Sequence, residues 1–280
     1  MGRIILVDKP KGITSFDVCF RMRKIFGTKK IGHTGTLDPN ATGLMMVLTD
    51  NATKINQFVV TSKKEYVATV RIGIRTDSED IDGEVLEEKK ETMPSKERIK
   101  EVLSSFLGKS SQIPPMTSAI KVEGKKLYQY KREGKEVEVK PRDIEVFSIE
   151  LMNMDEDTFT FKTTVSGGTY IRTLAQDILK KLGIIGTLSD LRRTMIDAFS
   201  VENASTIEEI AEGTFRSLTV LEVLERYYPV YEVMNREDIV NGKPLKLDRE
   251  DEYILCTDKD EALAVYRKDN GVYRCVRGLL

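Results

Sequence analysis

The sequence predicts an α+β fold with a small β-rich domain at its C-terminal end. Strand-like and helix-like segments follow one another irregularly, without the strand-helix-strand repeat of a doubly wound sheet. A chain of 280 residues has room for one large domain and a small one. After Tyr227-Tyr228-Pro229 the texture changes to short strand-like runs broken at Asn241-Gly242, Asp258 to Glu261 and Asn270-Gly271, as in a small barrel-like β domain. The division expected is 1–228 and 229–280.

The elements follow in order. The run RIILVDK reads as a strand that stops at Pro10 and Gly12. Thr14 or Ser15 can cap a helix in which Val18, Met22, Ile25 and Phe26 recur at helical spacing until Gly27 ends it. Residues 32–43, GHTGTLDPNATG, form a loop, and an apolar strand follows at 44–48. EYVATVRIG at 65–73 alternates as a half-buried strand does, and a hairpin-like stretch turns at Asp82-Gly83. Ser95 opens a helix that Gly108 stops. Beyond Pro114-Pro115, residues 119–142 read as a strand, a turn at Glu123-Gly124 and a short basic helix with Tyr128 and Tyr130. Strands at 144–153 and 158–165 precede a helix expected from Thr169, which could cap it, with Leu174, Ile178 and Leu182 as its apolar stripe.

Composition narrows the function classes. Hydrophobic residues at 40% and charged residues at 32% suit an ordinary globular protein. No apolar run approaches the roughly 20 residues of a spanning helix, and the opening residues lack a secretory leader, so a cytoplasmic protein without membrane contact is expected. Cys19, Cys256 and Cys275 are widely spaced and His33 is the sole histidine, leaving little material for a disulfide framework or a metal centre. The net charge of -1 taken alone argues weakly against a nucleic-acid partner, but it hides an asymmetry. Residues 1–60 carry nine basic against four acidic residues and 119–142 eight against four, whereas 202–261 hold seven against sixteen. Two basic segments could face an RNA backbone, or they are simply solvated surface.

Two segments could carry chemistry. In GHTGTLDPNATG the glycines let the backbone approach a ligand, and Asp38 before Pro39 is driven out of helical geometry. A carboxylate so fixed can act as base or nucleophile, or merely cap neighbouring amides. A phosphate loop is excluded by the missing lysine after the second glycine. In SGGTYIRTLAQDIL, Arg172 lies in the first helical turn, where a cation opposes the helix dipole and is not there for helix stability. Beside a buried carboxylate it would keep that group ionised; read alone, it better suits an ordinary surface ion pair.

GHTGTLDPNATG, the KxY of Lys64-Glu65-Tyr66, KVEGKKLYQYKREG, and SGGTYIRT followed by LRRT, in this order and spacing, resemble the TruB family of tRNA pseudouridine synthases. The similarity runs from Asp8-Lys9-Pro10 to about Arg193, two-thirds of the chain. It implies a mixed, mainly antiparallel central sheet with flanking helices and a PUA-like C-terminal domain. It also implies an isomerase that turns uridine 55 of the tRNA T-loop into pseudouridine without cofactor or metal. By resemblance Asp38 is the catalytic aspartate, Arg172 the arginine that pairs with it, and Tyr66 the residue that stacks on the target base and serves in proton transfer. His33, Tyr170 and Leu191 match positions lining the substrate pocket, and Lys9 and Lys54 match basic residues near it. In the family a segment placed like 119–142 closes on the T-arm, so Lys125, Lys126, Lys131 and Arg132 are expected to contact RNA. The partner implied is the tRNA T-arm, with no obligate protein partner and a monomeric state. A synthase for another RNA, a guide-dependent relative, and a non-catalytic tRNA-folding chaperone are the competing readings; the chaperone would not need Asp38.

Overall fold

The computed structural model describes residues 2–59, 63–118, 120–135 and 137–280; Ala119 and Glu136, inside the expected RNA-closing segment, lie outside the described residues. The chain packs as two compact units, one of residues 1–39, 43–60 and 201–280, the other of 40–42 and 61–200. No helix among the described residues is long and apolar enough to cross a membrane.

The first unit opens with strand β1 (Ile4–Lys9), buried along nearly its whole length because Ile-Ile-Leu-Val offers no polar face. A turn through Gly12, whose φ of +86° favours glycine, leads into helix α1 (Ser15–Phe26). Thr14 caps it reciprocally: its hydroxyl accepts from the Asp17 amide at 3.0 Å while the Asp17 carboxylate accepts from the Thr14 amide at 2.9 Å. Gly27 ends the helix in the left-handed conformation. Strands β2 (Ile31–His33) and β3 (Thr42–Thr49) follow; β3 runs antiparallel to both β1 and β2, placing Met46 opposite Leu6 and Val47 opposite His33. A 3-10 turn (Asp50–Ile55) and helix α2 (Asn56–Val59) complete this stretch.

In the second unit β4 (Lys64–Ile72) turns Lys64, Tyr66, Ala68, Val70 and Ile72 inward, the period-two pattern legible in its sequence. The hairpin β5 (Ile74–Thr76) and β6 (Val85–Glu88) spans the acidic stretch. Helix α3 (Lys96–Ser104) is capped by Ser95, and β7 (Gly108–Gln112) comes next. The basic segment folds as expected: β8 (Lys121–Val122) and β9 (Lys125–Lys126) pair across the Glu123-Gly124 turn and run into helix α4 (Leu127–Arg132). Strands β10 (Arg142–Met154) and β11 (Thr158–Val165), helix α5 (Ile171–Leu182), and strands β12 (Gly186–Ile196) and β13 (Phe199–Ser200) complete the unit. Its main sheet has the order β12-β4-β11-β10-β7, with every neighbouring pair antiparallel. Helix α3 packs on β10 and on α5, and α5 packs on β12.

One expectation needs correction. Helix α5 starts at Ile171, not Thr169; the Thr169 hydroxyl donates to the Ser166 carbonyl at 2.9 Å instead of capping the helix, so Tyr170 is the cap residue. Strand β12 was not read from the sequence. Register shifts at Leu188/Asp190 and Arg193/Met195 break its alternation, and Asp190, Arg192 and Arg193 mask its strand character.

The chain then returns to the first unit with α6 (Ile207–Glu212), β14 (Ser217–Leu218), which extends the sheet beyond β1, and α7 (Val220–Leu224). Ile207 and Ile210 close a core with Ile5, Val7, Val18, Met22, Met45 and Val47. The last fifty residues form β15 (Val230–Glu232), α8 (Arg236–Val240), β16 (Tyr253–Asp258), β17 (Glu261–Asp269) and β18 (Val272–Gly278). The β15–β16 pair is parallel and the rest antiparallel, around a separate core of Ile239, Ile254, Leu263, Tyr266 and Tyr273. The α+β architecture with a β-rich C-terminal part is therefore as the sequence predicted, while the short helices α6, α7 and α8 were not foreseen.

Phe159 and Phe161 on β11 are fully buried, so truncating either to Ala should cost about 3–5 kcal/mol in urea unfolding; a loss under about 1 kcal/mol would contradict the close-packed sheet face. Burial, and next the nearby Arg193 charge, push the Lys64 ammonium down from its ordinary 10.5 to about 8. Between those two values the unfolded chain binds a proton that the folded chain does not, so this group makes stability rise with pH across that window. In Lys64→Met the rise should be missing, and a wild-type-minus-mutant difference that stays flat between pH 8 and 10.5 would contradict it.

Candidate active site

The loop between β2 and β3 carries Asp38, and its neighbours on both sides are held. Leu37 is 3% exposed; its amide donates to Ser15 Oγ at 2.9 Å, and its carbonyl accepts from the same hydroxyl at 3.0 Å. Past Asp38, the Pro39 carbonyl accepts from the Gly12 amide and from Lys9 Nζ, both at 2.9 Å. The Thr34 amide donates to the Met46 carbonyl at 3.2 Å, and His33 Nδ1 accepts from the Gly35 amide at 3.3 Å. Asp38 is half-buried between these anchors. Lys9, expected near the site as a basic residue, is fully buried, and its ammonium also donates to the Pro10 carbonyl at 3.0 Å. It reaches the loop through the backbone of Pro39.

Lys54 is on the 3-10 turn of the same unit, with its ammonium donating to the Leu280 carbonyl. With Arg277, Gln57 and Thr53 it lines a hollow of about 330 Å³.

In the second unit Tyr66, 7% exposed, projects from β4 opposite Thr163 on one side and Arg193 on the other. Leu191, 8% exposed, sits opposite Ala68. Residues two apart on a strand share a face, so Tyr66 and Leu191 are diagonal neighbours on one face of the β4–β12 pair. Tyr170 and Arg172 stand at the start of α5. The Gln112 side-chain amide clamps Tyr170 by accepting from its nitrogen at 2.8 Å and donating to its carbonyl at 3.1 Å. Arg172 is 6% exposed and donates through one terminal nitrogen to the Ser78 carbonyl at 3.1 Å and to Thr117 Oγ1 at 2.5 Å. Beside it Glu79, whose φ of +65° is a left-handed conformation unusual for a side-chain-bearing residue, accepts from the Thr173 hydroxyl at 3.2 Å. Burial pushes the Glu79 carboxyl up, while the Arg172 charge pulls it back toward ionisation. A cation at a helix N-terminus is thus held by acceptors from two loops, which supplies what the helix dipole withholds.

Four cations of the basic segment have partners within their own unit. Lys131 donates to the Asp77 carboxylate at 2.6 Å and to the Asp77 carbonyl at 3.0 Å, and this hydrogen bond holds the Asp77 carboxyl below its ordinary range. Lys125 pairs with Glu133 and sits 5.0 Å from the Tyr130 ring centre; Lys126 and Arg132 lie 5.5 and 5.6 Å from that of Tyr128. Leu127 is the residue of α4 that is buried, and both tyrosines stay half-exposed. Between this segment and the Asp77–Glu79 turn opens a cavity of about 430 Å³ lined by Glu79, Met116, Thr117, Lys131 and Lys135 among others.

Sequence reasoning did not single out Ser15, Gln112, Ser78 or Thr117 for the site. Ser15 was legible only as one of two candidate helix caps, and nothing in the sequence says that its hydroxyl reaches a loop 22 residues later.

Residues 23–171 match the family model of the TruB family pseudouridylate synthase N-terminal domain. A tRNA pseudouridine synthase B of Alkaliphilus oremlandii is 46% identical over 210 residues, 75% of this chain and 70% of that protein. One of Lactobacillus acidophilus is 35% identical over 98% of this chain and 97% of its own length. In fold, the chain is similar to a solved Cbf5-Nop10-Gar1 complex, with a TM-score of 0.76 at 23% identity over 99% of this chain and 85% of the other. The family model over residues 23–171 and relatives aligned over most of both chains lead to one conclusion: the chain belongs to the TruB family of pseudouridylate synthases and is an isomerase.

Proposed function

We propose that this protein isomerises uridine 55 in the T-loop of tRNA to pseudouridine. The observation that carries the reading is the alignment, over nearly the full length of both chains, with relatives named tRNA pseudouridine synthase B. The reaction breaks the bond between N1 and C1′, turns the uracil, and joins C5 to C1′; the C5 proton is lost, N1 regains one, and no electrons are exchanged with a cofactor. The base must be held while it is detached, which calls for a closed pocket more than for reactive groups in number.

In this reading Asp38 is the nucleophile, adding to C6 of the ring or acting at the sugar. Its anchored loop means that little ordering remains to be done when substrate arrives. Tyr66 stacks on the flipped base and takes the C5 proton, and Arg172 is the counter-charge of the aspartate. His33, Tyr170 and Leu191 line the pocket, Lys9 acts through the loop it holds, and Lys54 meets the RNA backbone. Flipping the base costs a few kcal/mol, offset by stacking and by phosphate contacts. Lys125, Lys126, Lys131 and Arg132 supply such contacts as segment 119–142 closes on the T-arm, and residues 229–280 act as a PUA-like RNA-binding domain. The protein works in the cytoplasm as a monomer without an obligate protein partner.

Incubation with an unmodified T-arm transcript, followed by carbodiimide mapping and primer extension, should place pseudouridine at the T-loop uridine; product elsewhere overturns the substrate assignment. Asp38→Asn should lower the rate by more than roughly 10⁴-fold while RNA binding stays unchanged, and a variant that still turns over would make Asp38 dispensable. Changing Lys125, Lys126, Lys131 and Arg132 to Gln should weaken binding and flatten the slope of log K against log salt by roughly 0.7–0.9 per cation that meets a phosphate. An unaltered slope removes the segment from the RNA interface.

A further inference from the structure

Ser15 is the first residue of α1 and is 3% exposed. A serine at a helix start ordinarily caps free amides, but here Thr14 and Asp17 already complete the cap between themselves. The Ser15 hydroxyl is turned to the Asp38 loop, where it donates to the Leu37 carbonyl and accepts from the Leu37 amide. A hydroxyl has one proton to donate, and Ser15 gives it to that carbonyl.

The consequence lies in the peptide planes. The Leu37 carbonyl and the Asp38 amide belong to one rigid plane, so fixing that carbonyl fixes the plane by which the chain enters Asp38. On the other side the Pro39 ring restricts the plane by which it leaves, and Gly12 and Lys9 hold the Pro39 carbonyl. With the entering plane fixed and the leaving plane restricted, the Asp38 carboxylate has little freedom beyond its own side-chain rotations. We propose that Ser15 is a positioning residue of the isomerisation, its hydroxyl setting the direction in which Asp38 presents its carboxylate. This rests on the reading of Asp38 as the nucleophile. Removing the hydroxyl leaves both Leu37 peptide groups without this partner inside the protein, and the loop shifts to regain hydrogen bonds. A shift of about 1 Å at a reacting group costs on the order of a hundredfold in rate.

The test measures single-turnover pseudouridine formation on a T-arm transcript with enzyme in saturating excess, for the wild type, Ser15→Ala, Ser15→Thr and Asp38→Asn. Under that condition the rate constant does not depend on the folded fraction, so a merely structural role for Ser15 would not move it. Ser15→Ala should be slower by roughly ten- to a hundredfold with RNA affinity within about twofold of wild type, and Ser15→Thr, which restores the hydroxyl, should recover most of the rate. Ser15→Ala at the wild-type rate, with Asp38→Asn inactive, overturns the role of Ser15 alone. Asp38→Asn at the wild-type rate overturns the nucleophile reading itself. If Ser15→Ala does not fold, Ser15→Cys takes its place: the longer, weaker bonds of a thiol should slow the reaction at unchanged affinity, and a rate equal to wild type overturns the proposal.

Discussion

A loop that passes through a protein interior must find a hydrogen-bond partner for each peptide group it buries, and this requirement shapes the region around Asp38. Leu37 is buried and the Pro39 carbonyl is held by two donors, and the partners of both come from one short stretch, Lys9 to Ser15. That stretch runs from the last residue of β1 to the first of α1, so its own position depends on the core where β1, β3 and α1 meet through Ile5, Val7, Val18, Met22, Met45 and Val47. The half-buried carboxylate is thus the last link of a chain that begins with apolar packing. The loop contributes almost no regular structure, yet hydrogen bonds hold it on both sides of Asp38.

The second unit solves a different problem with similar means. Arg172 needs acceptors to compensate for burial and for an unfavourable helix terminus, and it finds them in the Ser78 carbonyl and the Thr117 hydroxyl. Both acceptors lie on loops, one next to Glu79 in its left-handed conformation, the other at the base of the basic segment. The guanidinium therefore ties the start of α5 to two loops at once, and the cavity lined by Glu79, Thr117 and Lys131 opens beside them.

Much of the fold was legible in the sequence, for reasons that differ by element. The β4 strand was plain because one face is buried and the other is not, and α1 because its apolar residues keep helical spacing between Thr14 and Gly27. Strand β12 was hidden because two bulges shift its phase and because Arg193, only 1% exposed, is the kind of residue that ordinarily argues against burial. The candidate site divides along the same line. Asp38, Tyr66 and Arg172 stood out through motifs, whereas Ser15, Gln112 and Thr117 matter through contacts between 22 and 58 residues apart in sequence. Single hydroxyls and amides carry no pattern, so nothing short of the folded backbone reveals which of them meets which loop.

The way the chain is threaded through its two units bears on how the protein is made. Apart from residues 40–42, the second unit is the uninterrupted run 61–200, and its sheet can close as soon as that run has left the ribosome. The unit that contains Asp38 is in two halves: Ile207 and Ile210, which seal its core, and β14, which covers the edge of β1, are translated some two hundred residues after β1 itself. During synthesis the early strands β1 and β3 must remain only partly covered until the final third of the chain arrives, and the Asp38 loop is among the last regions of the molecule to gain a finished foundation.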